Sequence, residues 1–143
     1  MTAKKYLSQA VWLDRMIDNK ISYQEKLRTM AEKTTVDVSR EKVSGGSTLN
    51  SREDIIVKLA DLSHEVNADI DRLIDLQKEI LDTIRLVEDD CLKLILELRY
   101  VNAMGWDDIV AELEYERSWV TRLHAKALNQ VDKILKSTSI KKQ

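Results

Sequence analysis

Residues 91–135 read CLKLILELRYVNAMGWDDIVAELEYERSWVTRLHAKALNQVDKIL, and the changes of pattern within them decide the fold. Leu92, Ile95, Leu96 and Leu98 recur at helical spacing and predict a helix ending near Tyr100. Asn102 to Gly105 supply a turn. Trp106 to Leu113 predicts a short second helix, Glu114 to Glu116 a tight turn, and Arg117 onward a longer third helix that packs through Val120, Leu123, Ala127, Val131 and Ile134. That order of elements is a helix-turn-helix, in which the last helix can lie in a DNA major groove while the one before it braces across the backbone.

Outward from this stretch the chain keeps a helical character. Among 143 residues there is no proline and there are 3 glycines, while 34% are charged and only 5% aromatic. Few helix breakers and abundant charge favour long amphipathic helices over a sheet, so the predicted fold class is all-α. On the N-terminal side, Ile56, Leu59, Ser63, Val66, Ile70, Leu73, Gln77, Ile80, Ile84 and Val87 form a heptad-like seam. Ser63 and Gln77 interrupt it at equivalent places, where a polar residue can fix register at some cost in stability. Ile55, Leu62, Ile74, Leu76 and Leu81 widen the stripe beyond what one partner helix covers.

A first helix is predicted from Lys4 to Lys33, with Tyr6, Ala10, Leu13, Ile17, Leu27 and Met30 near one face. Residues 34–52 change to β-branched and hydroxyl residues around Gly45-Gly46 and read as a flexible connector. Ser51, with Glu53 and Asp54, reads as the N-cap and acidic first turn of the second helix. The expectation is a long helical hairpin, or coiled-coil region, over residues 1–87, and a three-helix helix-turn-helix domain with a basic tail over 88–143. The width of the second helix's stripe points to a homodimer; an intramolecular hairpin that does not dimerise is the alternative.

Charge is segregated along the chain: residues 1–52 carry +4, residues 53–116 carry −12 and residues 117–143 carry +6. A basic segment on an acidic body is a candidate polyanion contact, although Lys136, Lys141 and Lys142 alone could be a solubilising tail. Lys4 and Lys5 lead into an apolar stretch that Asp14 and Arg15 interrupt, which does not read as a signal peptide, and no apolar run approaches the roughly 20 residues of a membrane span. A cytoplasmic protein without a membrane partner is expected. Cys91 is the only cysteine and reads as a small apolar core residue. His64 and His124 lie far apart, without a phosphate loop, metal-ligand cluster or nucleophile motif, so no enzyme, cofactor or small-molecule substrate is expected.

The run Trp-Asp-Asp-Ile at 106–109, then Leu113, Tyr115, Val120 and Arg-Leu-His-Ala-Lys-Ala-Leu at 122–128, resembles the fourth region of primary bacterial sigma factors, without a gap from about Met104 to Leu128. Leu-Glu-Leu-Arg-Tyr at 96–100 resembles the first helix of the same region. The C-terminal stretch as a whole is also similar to phage late-transcription regulators of the ArpU and RinA type. The resemblance implies a DNA-binding transcription regulator, an activator of phage late genes, with double-stranded DNA as partner and RNA polymerase as a further one. It also implies that Arg117, Ser118, Thr121 and Arg122 occupy the positions that read the upstream promoter element.

The residues themselves suit that role. Arg can grip guanine O6 and N7 bidentately, and Ser and Thr suit phosphates or the thymine methyl. Arg122 is placed to read bases and Lys126, a turn further on, to meet phosphate. Trp119, Trp106 and Trp12 are expected to pack in cores. Lys93 and Arg99 could reach phosphates or pair with Asp90 and Glu97; His124 is a weaker phosphate candidate. The pattern departs from the resemblance at Val110, at Glu114, where glycine would adopt a left-handed backbone freely, and at Glu116, where a hydroxyl would cap. Two carboxylates beside DNA also repel it. The other expectation is therefore a helical adaptor that binds RNA polymerase or a sigma factor without reading sequence.

Overall fold

The computed structural model describes the backbone of residues 1–40 and 52–141 and the side chains of residues 1–33 and 52–139. Every element among the described residues is helical: α1 (Ala3–Arg40), α2 (Arg52–Ile84), α3 (Asp90–Leu96) continued by a π-helical turn (Glu97–Val101), α4 (Trp106–Leu113) and α5 (Arg117–Lys141). The all-α expectation holds. Helix α1 runs past Lys33 to Arg40, so the connector does not begin at residue 34. Thr and Val cost only a few tenths of a kcal/mol each in a helix, too little to end one without glycine or proline. The rest of the connector, with Gly45-Gly46 and the Ser51 cap, lies outside the described residues.

The chain divides into two compact units, residues 14–72 and residues 1–13 with 73–143. In residues 14–72, α1 and α2 pack through Leu27, Ile55 and Leu62, with Ala31 and Leu59 against them. Polar pairs accompany this thin core. Gln24 Nε2 donates to Ser63 Oγ at 3.0 Å, and Lys20 Nζ donates to the buried Asp69 Oδ2 at 2.6 Å, with Arg72 at 3.4 Å from the other carboxylate oxygen. Ser63 thus sits at a polar layer, as its place in the seam suggests.

In residues 14–72 the seam is offset, whereas its later members Ile80, Ile84 and Val87 are buried as expected. Ile55, Leu62, Val66 and Asp69 are buried, whereas Ile56 is 49% exposed and Ile70 also faces solvent. One residue turns a helix by about 100°. Leu59 and Val66 belong to both lines, and the apolar residues that widen the stripe, not its expected centre, meet α1. Met30, expected on the packed face of α1, is exposed as well.

The second unit holds the larger core. Ala3, Leu7 and Ala10 of α1, Ile80 and Ile84 of α2, Val87, Leu92 and Leu96 of α3, Tyr100, and Ala127 and Val131 of α5 form one buried cluster. At its edge the Ala3 N–H donates to Asp132 Oδ1 at 2.7 Å, and the Tyr6 and Thr83 hydroxyls lie 3.0 Å apart. This body therefore takes in residues beyond 88–143. Asp89 opens α3 as an N-cap, its Oδ1 accepting from the backbone N–H groups of Cys91 and Leu92. A smaller cluster of Leu98, Ile109 and Val120, backed by Met104, Trp106, Val110 and Leu113, fastens α4 and the start of α5.

Candidate nucleic-acid interface

Helix α4 starts after Gly105 without a side-chain cap, but Asp107 and Asp108 in its first turn suit the positive end of the helix dipole. Its fully buried Ile109 anchors it. The chain then turns at Glu114, whose φ of 57° and ψ of 32° lie in the left-handed region and whose N–H donates to the Val110 carbonyl. For a non-glycine residue that backbone costs roughly 1–2 kcal/mol. The Glu116 carbonyl accepts the N–H groups of Trp119 and Val120, so α5 opens within two residues of the turn.

The burial of α5 sets its outward face. Val120, Ala127 and Val131 are buried, and Arg117, Ser118, Thr121, Arg122 and Lys126 are all exposed. The five residues expected at the site thus lie together on the first three turns of one helix. They differ in engagement. Arg117 makes an ion pair with Asp107 of α4. The Thr121 hydroxyl donates to the Arg117 carbonyl at 3.0 Å. Arg122 and Lys126 form no ion pair among the described residues. Asn129, two turns beyond Arg122, is also exposed, and the spacing 118, 122, 125, 129 was the signal for it. Its amide has the donor and acceptor that adenine requires.

Several other sequence expectations change. Trp119 is 46% exposed and Trp12 is 61% exposed, so neither is a core anchor, whereas Trp106 packs against the smaller cluster. His124, the weaker phosphate candidate, is engaged by two aromatic side chains. Its Nε2 lies 2.7 Å from the Tyr100 hydroxyl, and its ring meets that of Trp106 edge to face with the centroids 4.5 Å apart. Burial, then the charges of Lys4 and Arg99, lowers its pKa to about 4, so the imidazole is neutral near pH 7. Arg99 does not pair with Glu97: it donates to the Met104 carbonyl at 2.9 Å and stacks 4.8 Å from the Trp106 ring centroid. Lys93 approaches Asp90 at 3.9 Å, and Cys91 is half-buried.

Beside the outward face is an open cavity of about 470 Å³ lined by Glu114, Tyr115, Glu116, Ser118, Trp119 and Arg122. Among the described residues no His, Cys, Asp and Glu side chains gather as a metal site, and no helix is long and apolar enough to cross a membrane.

A family described as "Protein of unknown function (DUF1492)" matches residues 33–132, a stretch that contains α2, α3, α4 and the exposed turns of α5. No curated protein and no solved structure matches the chain.

Proposed function

We propose that this chain, which belongs to the DUF1492 family, is a DNA-binding transcription regulator that reads promoter DNA with α5. The observation that carries the reading is the division of α5 into a buried edge, Val120, Ala127 and Val131, and an exposed face of Arg117, Ser118, Thr121, Arg122 and Lys126. In this reading Arg122 addresses a guanine edge, Ser118 and Thr121 meet phosphate or a thymine methyl, and Lys126 neutralises phosphate. Arg117 exchanges Asp107 for a phosphate. An exposed ion pair is worth only about 0–1 kcal/mol, so the exchange costs little.

Affinity for DNA alone is moderate in this reading, because Asp107, Asp108, Glu112, Glu114 and Glu116 crowd the approach to α5. RNA polymerase would supply what the module lacks, as in the phage late-gene activators that the C-terminal stretch resembles. A second copy of the chain would cover the apolar residues that α2 leaves at the surface, Ile56, Val57 and Ile70.

Selection of duplexes from random DNA by the full chain, with and without bacterial RNA polymerase, tests the reading. Enrichment of one sequence in either condition supports it, and enrichment in neither refutes it. The adaptor reading has its own support in the exposed Tyr115 and Trp119 beside two carboxylates.

A further inference from the structure

The turn between α4 and α5 breaks two rules at once. Its left-handed residue is Glu114, where glycine would be unstrained, and the residue before α5 is Glu116, where a hydroxyl would cap. Between these acids and just after them stand Tyr115 and Trp119, 43% and 46% exposed. All four line the same open cavity, together with Ser118 and Arg122.

We propose that this cavity is a docking site for a lysine or arginine side chain on a basic segment of a partner protein. Aromatic faces attract a cation through their quadrupole, and a carboxylate nearby neutralises it. Tyr115 and Trp119 supply the faces, and Glu114 and Glu116 the charge. The surroundings reinforce this choice. The last turn of α4 carries no basic residue, so its negative dipole end is not offset by a side chain. Residues 107–116 hold five acidic side chains and no basic one, and apart from Asp107, which pairs with Arg117, their charge steers a basic segment inward. Arg122 also lines the cavity and repels a bound cation, but the two glutamates outnumber it. A volume of about 470 Å³ suits a side chain and its stem. Trp, Tyr and Arg are also the residue types on which interface energy concentrates. A nucleobase stacking on Trp119 is the rival occupant, and the two carboxylates disfavour its phosphates. The inference does not depend on α5 reading DNA.

The test titrates the full chain, labelled for NMR, with tri-arginine amide, triglutamate, and a twelve-base-pair duplex. Substitution Trp119→Phe assigns the indole resonance. Tri-arginine amide should shift the Trp119 indole and the amides of residues 114–118, and triglutamate should not. The isosteric double substitution Glu114→Gln with Glu116→Gln should weaken that binding by about tenfold or more, with far-UV circular dichroism unchanged. Equal binding by the double variant, or a tri-arginine response that leaves Trp119 unmoved, overturns the proposal. A duplex that shifts Trp119 while tri-arginine amide does not also overturns it and assigns the cavity to nucleic acid.

Discussion

Residues 14–72 and the body that contains α3 to α5 share α1 and α2 and use them in opposite ways. The hairpin segment buries Ile17, Leu27, Ile55, Leu62 and Val66 and leaves Met16, Ile21, Tyr23, Ile56, Val57 and Ile70 at the surface, so its large apolar side chains are about as often outside as inside. Polar contacts, Gln24 with Ser63 and Lys20 with Asp69, hold its two helices in register. In the body, Leu7, Ile80, Ile84, Leu92, Leu96 and Val131 are wholly buried in one apolar cluster. Polar pairs specify which residues face each other; apolar area supplies most of the stability. The hairpin is thus specified by polar pairs over a thin core, and the body adds its own polar pairs, Ala3 with Asp132 and Tyr6 with Thr83, to a larger apolar cluster.

The largest expected effect tests that contrast directly. Ile84→Ala should lower unfolding free energy by about 2–5 kcal/mol, and Ile56→Ala by less than about 1 kcal/mol, in urea titrations followed by circular dichroism. Paired with Ile70→Ala, however, Ile56→Ala should weaken self-association at micromolar concentration in sedimentation. A monomer in the unsubstituted chain would leave the exposed hairpin apolars without the proposed cover.

Next in size is the outward face of α5. Arg122→Ala should flatten preference among duplexes by roughly 1–3 kcal/mol, while Lys126→Ala should weaken all duplexes alike and reduce the salt slope by about 1. Equal losses with preference unchanged would remove Arg122 from base reading.

His124 gives the body a pH signature on the acid side, whereas the shift resolved in the hairpin, Lys20 raised by its hydrogen bond to Asp69, belongs to the alkaline range. The folded His124 pKa of about 4 lies below the ordinary 6.5, so between those values the unfolded chain binds a proton that the folded chain refuses. Stability should be complete above pH 6.5 and decline as pH falls toward 4, by about 1–2 kcal/mol after allowance for solvent screening. His124→Gln should flatten that interval of the stability profile. An imidazole that titrates in NMR near 6.5 would contradict the buried Tyr100 and Trp106 setting.

The smallest effect concerns the turn. Glu114→Gly relieves a left-handed glutamate but frees the unfolded chain, so a net gain of about 0.5–1 kcal/mol is expected by thermal denaturation. A loss would mean that the carboxylate makes a stabilising contact of its own.

Much of this was legible in the residues. Helix α4, its turn and the opening of α5 fall where the pattern of 91–135 puts them, and the exposed face follows from Val120 and Ala127 being its opposite. The hairpin seam was less legible because its apolar stripe is wider than one contact. Leu59 and Val66 fit either of two lines one residue apart, and only the position of α1 selects the Ile55 line. Tryptophan exposure was illegible for a related reason: size predicts burial, but Trp119 stands in the first turn of a helix where nothing among the described residues covers it fully. The π-helical turn at Glu97–Val101 left no mark that composition or spacing could reveal.

The hydrogen bond from the Ala3 N–H to Asp132 joins positions 129 residues apart, and Ala3, Leu7 and Ala10 enter the same buried cluster as Ala127 and Val131. In topological terms the support of α5 is a closed loop of chain, not a terminal segment. Excising residues 88–143 would strip Ala3, Leu7, Ala10, Ile80, Ile84 and Val87 from that cluster and open its apolar floor to water. A bulky fusion placed directly before Ala3 would press on the same clasp. A permuted chain that carries residues 73–141 and 1–13 together would keep that cluster whole.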